Sequence, residues 1–273
     1  MRFYVTKDRW AADATEITLD PSESHHAASV LRATVGDCVD IIDGQGRTAT
    51  AEIIHLHKKE TRLRLGAIRI LLPPAAKLVL AVAIPKGSTM DWIIEKSVEL
   101  GATEIVPLLT QRTVVRLNAS DRPERQRKWQ RLAVEACKQC GQPWLPRVRT
   151  PRTLPEALLI APPPSFALPL LASLEPPVRP LSSLWPPSAP APTTTREAPT
   201  PEAPIMDASV WIGPEGDFTP DEYAQLRDAG LWPVSLGPLT LRVETAAFVC
   251  LSVLQHEQSR SRGEAARSAR DSL

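Results

Sequence analysis

Val210-Trp211-Ile212-Gly213-Pro214-Glu215-Gly216-Asp217-Phe218 opens the stretch that decides the fold, and Pro233-Val234-Ser235-Leu236-Gly237-Pro238-Leu239-Thr240-Leu241-Arg242-Val243-Glu244-Thr245-Ala246-Ala247 closes it. Two short apolar segments of strand length each end in a Gly-Pro turn, at Gly213-Pro214 and Gly237-Pro238. Between them Thr219-Pro220-Asp221-Glu222 reads as a capping box with proline at the first helical position, so one helix separates the two strands. That helix is predicted to stop at Gly230. Charged residues stand just past each turn, Glu215 and Asp217 after the first, Arg242 and Glu244 after the second. Strand, turn, helix, strand, turn, helix is the grammar of an α/β sheet, whose ligand sites form beyond the carboxyl ends of strands. Neither GxGxxG nor GxxxxGK[ST] is present, so these turns are not a phosphate loop.

The same alternation extends backwards to Lys77. Leu78 to Ile84 is a continuous apolar run suited to a strand buried on both faces. A helix follows from Thr89 to Leu100, with Met90, Ile93, Ile94, Ser97 and Val98 on one stripe and Gly101 as its stop. Ile105 to Leu109 is the next strand. Asp121 is placed to cap a helix whose stripe is Trp129, Leu132, Ala133, Ala136, Cys137 and Cys140, closed by Gly141. Arg125, Lys128, Arg131, Glu135 and Lys138 fall largely off that stripe, where they are either a solvated face or a contact to RNA. Val243 begins a last helix to about His256, with Glu244 at the end where the helix dipole favours a carboxylate.

Residues 1–72 have a different texture. Glu16 to Leu19, Cys38 to Ile42 and Thr61 to Leu65 are strand-like, Asp43-Gly44-Gln45-Gly46 reads as a hairpin turn, and Ser22 to Leu31 is the one helical segment, capped by Ser22. Short strands of this kind pack naturally into a small barrel. Pro73-Pro74 is a stiff hinge. Residues 151–204 hold 16 of the 28 prolines. Phe166 to Leu171 reads as a strand among them, and 175–204 as a flexible proline-rich insertion. The tail, 259–273, is charged, rich in small residues and expected to be disordered. The domains expected are therefore 1–72 and 73–258.

Composition excludes several classes. Of 273 residues 43% are hydrophobic and 23% charged, an ordinary globular balance, and the formal net charge of +1 gives no global attraction to nucleic acid. The charge is uneven, however. Residues 111–149 carry ten Lys and Arg against Asp121, Glu124 and Glu135, a local polyanion footprint. No apolar run approaches a membrane span and no signal peptide opens the chain, so a reducing cytoplasm is expected. Cys137-x-x-Cys140 has neither a second pair nor a histidine pair to complete a zinc site, and His25-His26 lacks a third ligand, so no metal is expected.

Val30-Leu31-Arg32, Lys96 to Gly101, Gln111-Arg112, Glu135 to Gly141, Ile212 to Gly216, and Leu236-Gly237-Pro238 with Leu241 to Ala246 occur in the order and spacing of the RsmE family, which the chain resembles. Those enzymes are 16S ribosomal RNA uridine-N3 methyltransferases. The resemblance implies a PUA-like β-barrel over 1–72, then a SPOUT α/β domain with a C-terminal trefoil knot. It implies a homodimer, the small ribosomal subunit RNA as substrate, and S-adenosyl-L-methionine as methyl donor. Its cofactor loops fall on Ile212, Gly213, Pro214, Glu215 and Gly216, on Leu236, Gly237, Leu241, Arg242, Thr245 and Ala246, and, with Leu168, on the end of the Leu168–Leu171 strand.

Leu239, Val243 and Gln142 stand where that family often has arginine, threonine and arginine. These departures bear on RNA affinity more than on cofactor binding. Methylating uridine N3 requires in-line placement, loss of the N3 proton and stabilisation of charge on the flanking carbonyls. Arg242 and Glu244 are the catalytic candidates, Arg242 for the developing charge or a phosphate, Glu244 as base or as a helix cap. Arg32, Lys86, Lys96, Arg112, Arg125, Lys128 and Arg131 are the candidate RNA contacts. Lys96 can equally pair with Glu95 or Glu99. Two other readings stay open: a methyltransferase of this fold acting on another RNA site, and a non-catalytic RNA-binding protein.

Overall fold

The computed structural model describes residues 1–10, 14–185 and 206–271, with side chains as far as Arg260. The chain divides into two compact units, one formed by Met1–Ala75 with Gln130–Pro146, the other by Ala76–Trp129 with Arg147–Leu273.

The first unit is a five-stranded sheet in the order β1-β3-β4-β5-β2, with β1 at Arg2–Tyr4, β2 at Glu16–Thr18, β3 at Cys38–Ile42, β4 at Arg47–His55 and β5 at Arg62–Ile70. The β3–β4 hairpin forms where Asp43-Gly44-Gln45-Gly46 predicts it. Asp43 Oδ1 accepts from the amides of Gln45 (2.7 Å) and Arg47 (2.9 Å), which holds the chain reversal. Register shifts between Ala49 and Ala51 and between Ile53 and His55 bend β4 and curl the sheet around Phe3, Trp10, Ile41, Ile53 and Leu63. A short helix, α1 (Pro21–His25), runs into one π-helical turn over His26–Val30. Its cap is Asp20, not Ser22: the carboxylate accepts from Glu23 N–H at 2.8 Å, and Pro21 takes the first helical position.

Residues 130–146 join this unit, although the sequence pattern groups them with the α/β portion from residue 73 onward. Lys138 gives the reason. It sits off the apolar stripe, a position that predicts solvent, yet it is 7% exposed, with Nζ 2.7 Å from Glu23 Oε1 and 3.0 Å from Glu135 Oε1. Arg2 adds a bond from Nη1 to the Lys138 carbonyl at 2.8 Å. Burial pushes the Glu23 carboxyl up, and the Lys138 ammonium opposes that shift. Cys140, expected on the stripe, is exposed, whereas Cys137 is buried and its thiol is pushed up to about 12 by burial.

The second unit is an eight-stranded parallel sheet in the order β11-β13-β10-β12-β6-β7-β8, with β9 beside β7. In chain order its elements are β6 (Leu78–Ala83), α2 (Thr89–Glu99), β7 (Glu104–Leu109), α3 (Arg122–Cys140), β8 (Arg147–Val148), β9 (Arg152–Thr153) and α4 (Leu154–Ile160). Then come β10 (Leu168–Ala172), β11 (Arg179–Pro180), β12 (Ala208–Ile212), α5 (Pro220–Asp228), β13 (Trp232–Ser235) and α6 (Val243–Asp271). The division between the units falls within α3. All six residues of β6 are buried, and on α2 the five stripe positions Met90, Ile93, Ile94, Ser97 and Val98 are the buried ones, as their spacing predicts. Trp211, Phe218, Tyr223 and Leu226 from the decisive stretch close the core over Val79, Ala81, Val106 and Leu108.

Three features differ from the sequence reading. Helix α4 forms inside the proline-rich region through a second capping box, Thr153 with Glu156, and Pro155 in its first turn. The insertion is anchored at its start, where β11 pairs with β13, Leu181 is buried and Arg227 reaches Glu175 Oε1 at 3.3 Å. Its remainder, 186–204, lies outside the described residues. Helix α6 continues past His256 to Asp271, because its last turns are Ala-, Arg- and Glu-rich and contain no proline.

Replacing Lys138 by Met strands the Glu23 carboxylate in the core and is expected to cost about 3–5 kcal/mol. Calorimetric unfolding should show the loss, and Glu23→Gln in the same chain should restore most of it. A carboxyl with a raised folded pKa contributes stability at acid pH that is lost as pH rises through that pKa. The deficit of Lys138→Met should therefore shrink as the pH is lowered and Glu23 takes up its proton.

Candidate cofactor site at three strand ends

Strands β12, β10 and β13 are neighbours and run parallel, with Leu171 opposite Trp211 and Ala172 opposite Val234. Their carboxyl ends therefore emerge side by side, and the loops after them enclose an open cavity of about 260 Å³. Ala172–Leu174 forms one wall, 212–215 with Asp217 the second, and 235–237 and 239–243 with Ala246 the third.

The loop after β12 is fastened from several sides. The Asp217 amide donates to the Pro214 carbonyl at 2.8 Å, and Asp217 itself adopts a left-handed conformation (φ 61°). Gly213 is required there by space. A Cβ at that position would stand 3.1 Å from the Phe218 ring and 3.2 Å from Asp217 Oδ1. Arg112 Nη1 donates to the carbonyls of Gly216 (2.8 Å) and Phe218 (3.2 Å). Buried Glu222 accepts from Gln111 N–H at 2.8 Å with one oxygen and from Thr219 N–H at 2.9 Å with the other. The Glu215 carboxylate accepts from Lys86 N–H at 3.2 Å.

The Asp217 carboxylate lies at the centre of this loop. The Tyr223 hydroxyl donates to it, Oη lying 2.8 Å from Oδ1 and 2.9 Å from Oδ2, and Phe218 N–H is a second donor, to Oδ1 at 2.8 Å. Burial, reinforced by Asp217, pushes the Tyr223 phenol up to about 12, so it stays a neutral donor. In the third wall Gly237 has φ 132°, a conformation that L side chains rarely adopt, and it faces open space. Ser235 Oγ both accepts from Gly237 N–H (3.3 Å) and donates to its carbonyl (3.2 Å). Helix α6 starts at once after this loop, with the Ala246 amide donating to the Arg242 carbonyl at 2.9 Å.

Most of the predicted cofactor residues meet at this cavity. Ile212, Gly213, Pro214 and Glu215 line it from one loop, and Leu236, Gly237, Leu241, Arg242 and Ala246 from another. Gly216 and Thr245 are adjacent in sequence but not in its lining. Leu168 is misplaced: it lies at the amino end of β10, and the cavity takes Ala172, Ser173 and Leu174 from the carboxyl end. Asp217, Leu239 and Thr240 also line it, beyond the binding residues that the sequence singles out. The motif Glu215-Gly216-Asp217 carries the missed signal for Asp217, since a non-glycine residue in a tight Gly-rich turn is held there by its own side chain. The charged lining is Glu215, Asp217 and Arg242. Glu244 lies in the first turn of α6, half-buried and outside the lining.

The predicted RNA contacts separate into two groups. Arg112 is turned onto the loop carbonyls, Lys128 pairs with Asp91 (2.5 Å), and Lys96 is held by Glu99 (2.8 Å) and Glu95 (2.9 Å), which raise its pKa. Lys96 has taken the partners that its sequence neighbours offer, whereas for Arg112 and Lys128 the sequence shows the charge but not its engagement. Arg32, in left-handed backbone (φ 52°), and Lys86, Arg125 and Arg131 are exposed, with no ion pair among the described residues. Also among the described residues, no three His, Cys, Asp or Glu side chains cluster as a metal site, and no helix is long and apolar enough to cross a membrane.

Residues 73–255 match the family model of the RNA methyltransferase domain. The chain belongs to that family. Residues 19–65 match the RNA methyltransferase PUA domain, which fits the curled sheet of the first unit. Among curated members, the ribosomal RNA small subunit methyltransferase E of Synechocystis sp. is 33% identical over 238 residues, 86% of this chain and 71% of the relative. That of Bacillus subtilis is 25% identical over 92% of this chain and 94% of its own. Two solved family structures hold the methyl donor. A Legionella pneumophila methyltransferase with bound SAM superposes with a TM-score of 0.78 at 28% identity, over 93% of this chain and 96% of the other. The small subunit methyltransferase E of Neisseria gonorrhoeae, bound to S-adenosyl methionine, gives 0.76 at 26%, with the same coverage of both chains.

Gly213→Ala is expected to force Phe218 and the Asp217 carboxylate apart, at a cost of about 1–3 kcal/mol. Arg112→Ala should leave the global melting temperature nearly unchanged while amide exchange quickens across 213–218. Hydrogen-exchange mass spectrometry checks both.

Proposed function

We propose that the protein transfers the methyl group of S-adenosylmethionine to N3 of a uridine in the RNA of the small ribosomal subunit. The observation that carries the reading is the cavity at three adjacent strand ends, in a chain that aligns along 93% of its length with structures holding this cofactor. The residues present fit the group. Ile212, Pro214, Leu236 and Leu241 offer apolar walls to an adenine, and Gly237 lets main-chain groups approach its edge. Glu215, Asp217 and Arg242 supply both signs of charge for a zwitterionic methionine part that also carries a sulfonium.

When bound, the cofactor supplies an electrophilic methyl group. The work of this chain is to hold it in line with the acceptor nitrogen and to steady the charge that grows on the uracil carbonyls as the N3 proton leaves. Arg242 is exposed on the cavity wall and has no ion pair among the described residues, so its charge is available for those oxygens or for a flanking phosphate. Glu244 is assigned to the helix end: its place in the first turn of α6 suits the helix dipole, and it does not line the cavity. N3 lies on the Watson–Crick edge, so the target base is unpaired or extruded when it reacts. Arg32, Lys86, Arg125 and Arg131 are the proposed backbone contacts.

The same reading takes the chain to be a cytoplasmic homodimer, with the sheet region β10–β13 and α6 folded as the trefoil knot of the SPOUT enzymes. The adjacency of β10, β12 and β13, whose loops converge on one cavity, supports the knot.

Titration calorimetry should record one S-adenosylmethionine bound per chain, and a wild-type protein that binds none would exclude the enzyme. Arg242→Ala is expected to lower methyl transfer about 100-fold at saturating S-adenosylmethionine, and Glu244→Gln should transfer at close to the wild-type rate. Nucleoside mass spectrometry of small-subunit RNA from a strain lacking the gene should show 3-methyluridine lost; its persistence would rule out the proposed target.

A further inference from the structure

We infer that Asp217 reads the positive charge of the sulfonium, so that the cavity prefers the methyl donor to the neutral thioether left after transfer. The inference rests on the cofactor reading of the cavity and adds the residue that discriminates between the two ligands.

Two properties of Asp217 lead there. Its charge is uncompensated: the half-buried carboxylate lines the cavity, yet no Lys, Arg or His pairs with it among the described residues. An anion held out of bulk water without a cation costs stability unless a ligand brings one. Both of its oxygens, by contrast, are already engaged. The single Tyr223 O–H is shared between Oδ1 and Oδ2, and Phe218 N–H donates to Oδ1.

An ammonium needs free acceptors, because it donates three directed bonds. A sulfonium has no hydrogen to donate and is stabilised by charge alone. A carboxylate with its charge free and both oxygens already hydrogen-bonded therefore meets the cationic centre through charge, which is all that a sulfonium requires. Glu215, exposed and with only Oε1 bonded to a backbone amide, retains the acceptors that an ammonium would use.

The group is also fixed in place. The left-handed backbone at Asp217 and the bonds from Tyr223 and Phe218 N–H hold the carboxylate, and the missing Cβ at Gly213 leaves room for it. A fixed charge responds to the difference between donor and product without reorganising.

The test compares three ligands on the full-length protein by titration calorimetry: S-adenosylmethionine, sinefungin, which carries an amine-bearing carbon in place of the methylated sulfur, and S-adenosylhomocysteine, which is neutral there. Asp217→Asn keeps the shape and tolerates the left-handed backbone; Asp217→Gly, which that backbone also accepts, guards against an effect particular to asparagine. Both variants should bind S-adenosylmethionine and sinefungin about three- to tenfold more weakly, and S-adenosylhomocysteine within twofold of wild type. Equal weakening for all three ligands, or no change for any, overturns the inference and leaves the cofactor reading standing. A wild-type protein that binds none of the three overturns the cofactor reading itself.

Discussion

The parallel pairing of β10 between β12 and β13 is the constraint on which the site depends. Parallel strands emerge from a sheet at the same edge, so three such neighbours must deliver their following loops to one place. The register fixes the depth of each, Leu171 facing both Trp211 and Pro233. The chemistry is then confined to the few residues past the strand ends, where backbone is free of the sheet and side chains of both charges gather.

Holding those loops still is a separate problem, and the structure solves it with polar groups rather than apolar contacts. Arg112 and Glu222 tie the 213–218 loop to carbonyls and amides, while Tyr223 and Phe218 N–H hold Asp217. Charges such as buried Glu222 and half-buried Asp217 rarely add stability, yet they fix geometry, because each lost bond leaves a polar group stranded. Glu23 and Lys138 play the corresponding part in the first unit, where a buried ion pair attaches a stretch of α3 to α1. In both units the residues that set geometry are charged ones that a hydropathy pattern assigns to solvent.

Much of the fold was legible in one dimension. The apolar runs at Leu78 and Val210, the stripe of α2, the capping box at Thr219 and the glycine stops at Gly101, Gly141 and Gly230 each encode a local preference that the structure keeps. Helix α4 carried the same capping signal as α5, but surrounding prolines obscured it. Of the candidate site, the residues just after the two Gly-Pro turns were legible, because strand ends and turns are local features. The third loop was placed at the end of the Leu168–Leu171 strand, where the cavity takes Ala172, Ser173 and Leu174, whereas Leu168 itself stands at the other end of β10, a strand's length away.

The sequence by itself determined where most of the longer strands and helices lie, that two strand-end turns carry the charged residues, and which family the motif order resembles. Those are properties of neighbouring residues and of their spacing. Only the tertiary structure decided which cations are free and which are spent, since Arg112, Lys128 and Lys138 look alike in sequence and each has found a carboxylate or carbonyl elsewhere. It also decided that Asp217 stands in the cavity with no ion pair among the described residues, and that Glu244 lies outside the cavity lining. A charge acquires its role from what lies within a few ångströms, and that is set by long-range packing rather than by position along the chain.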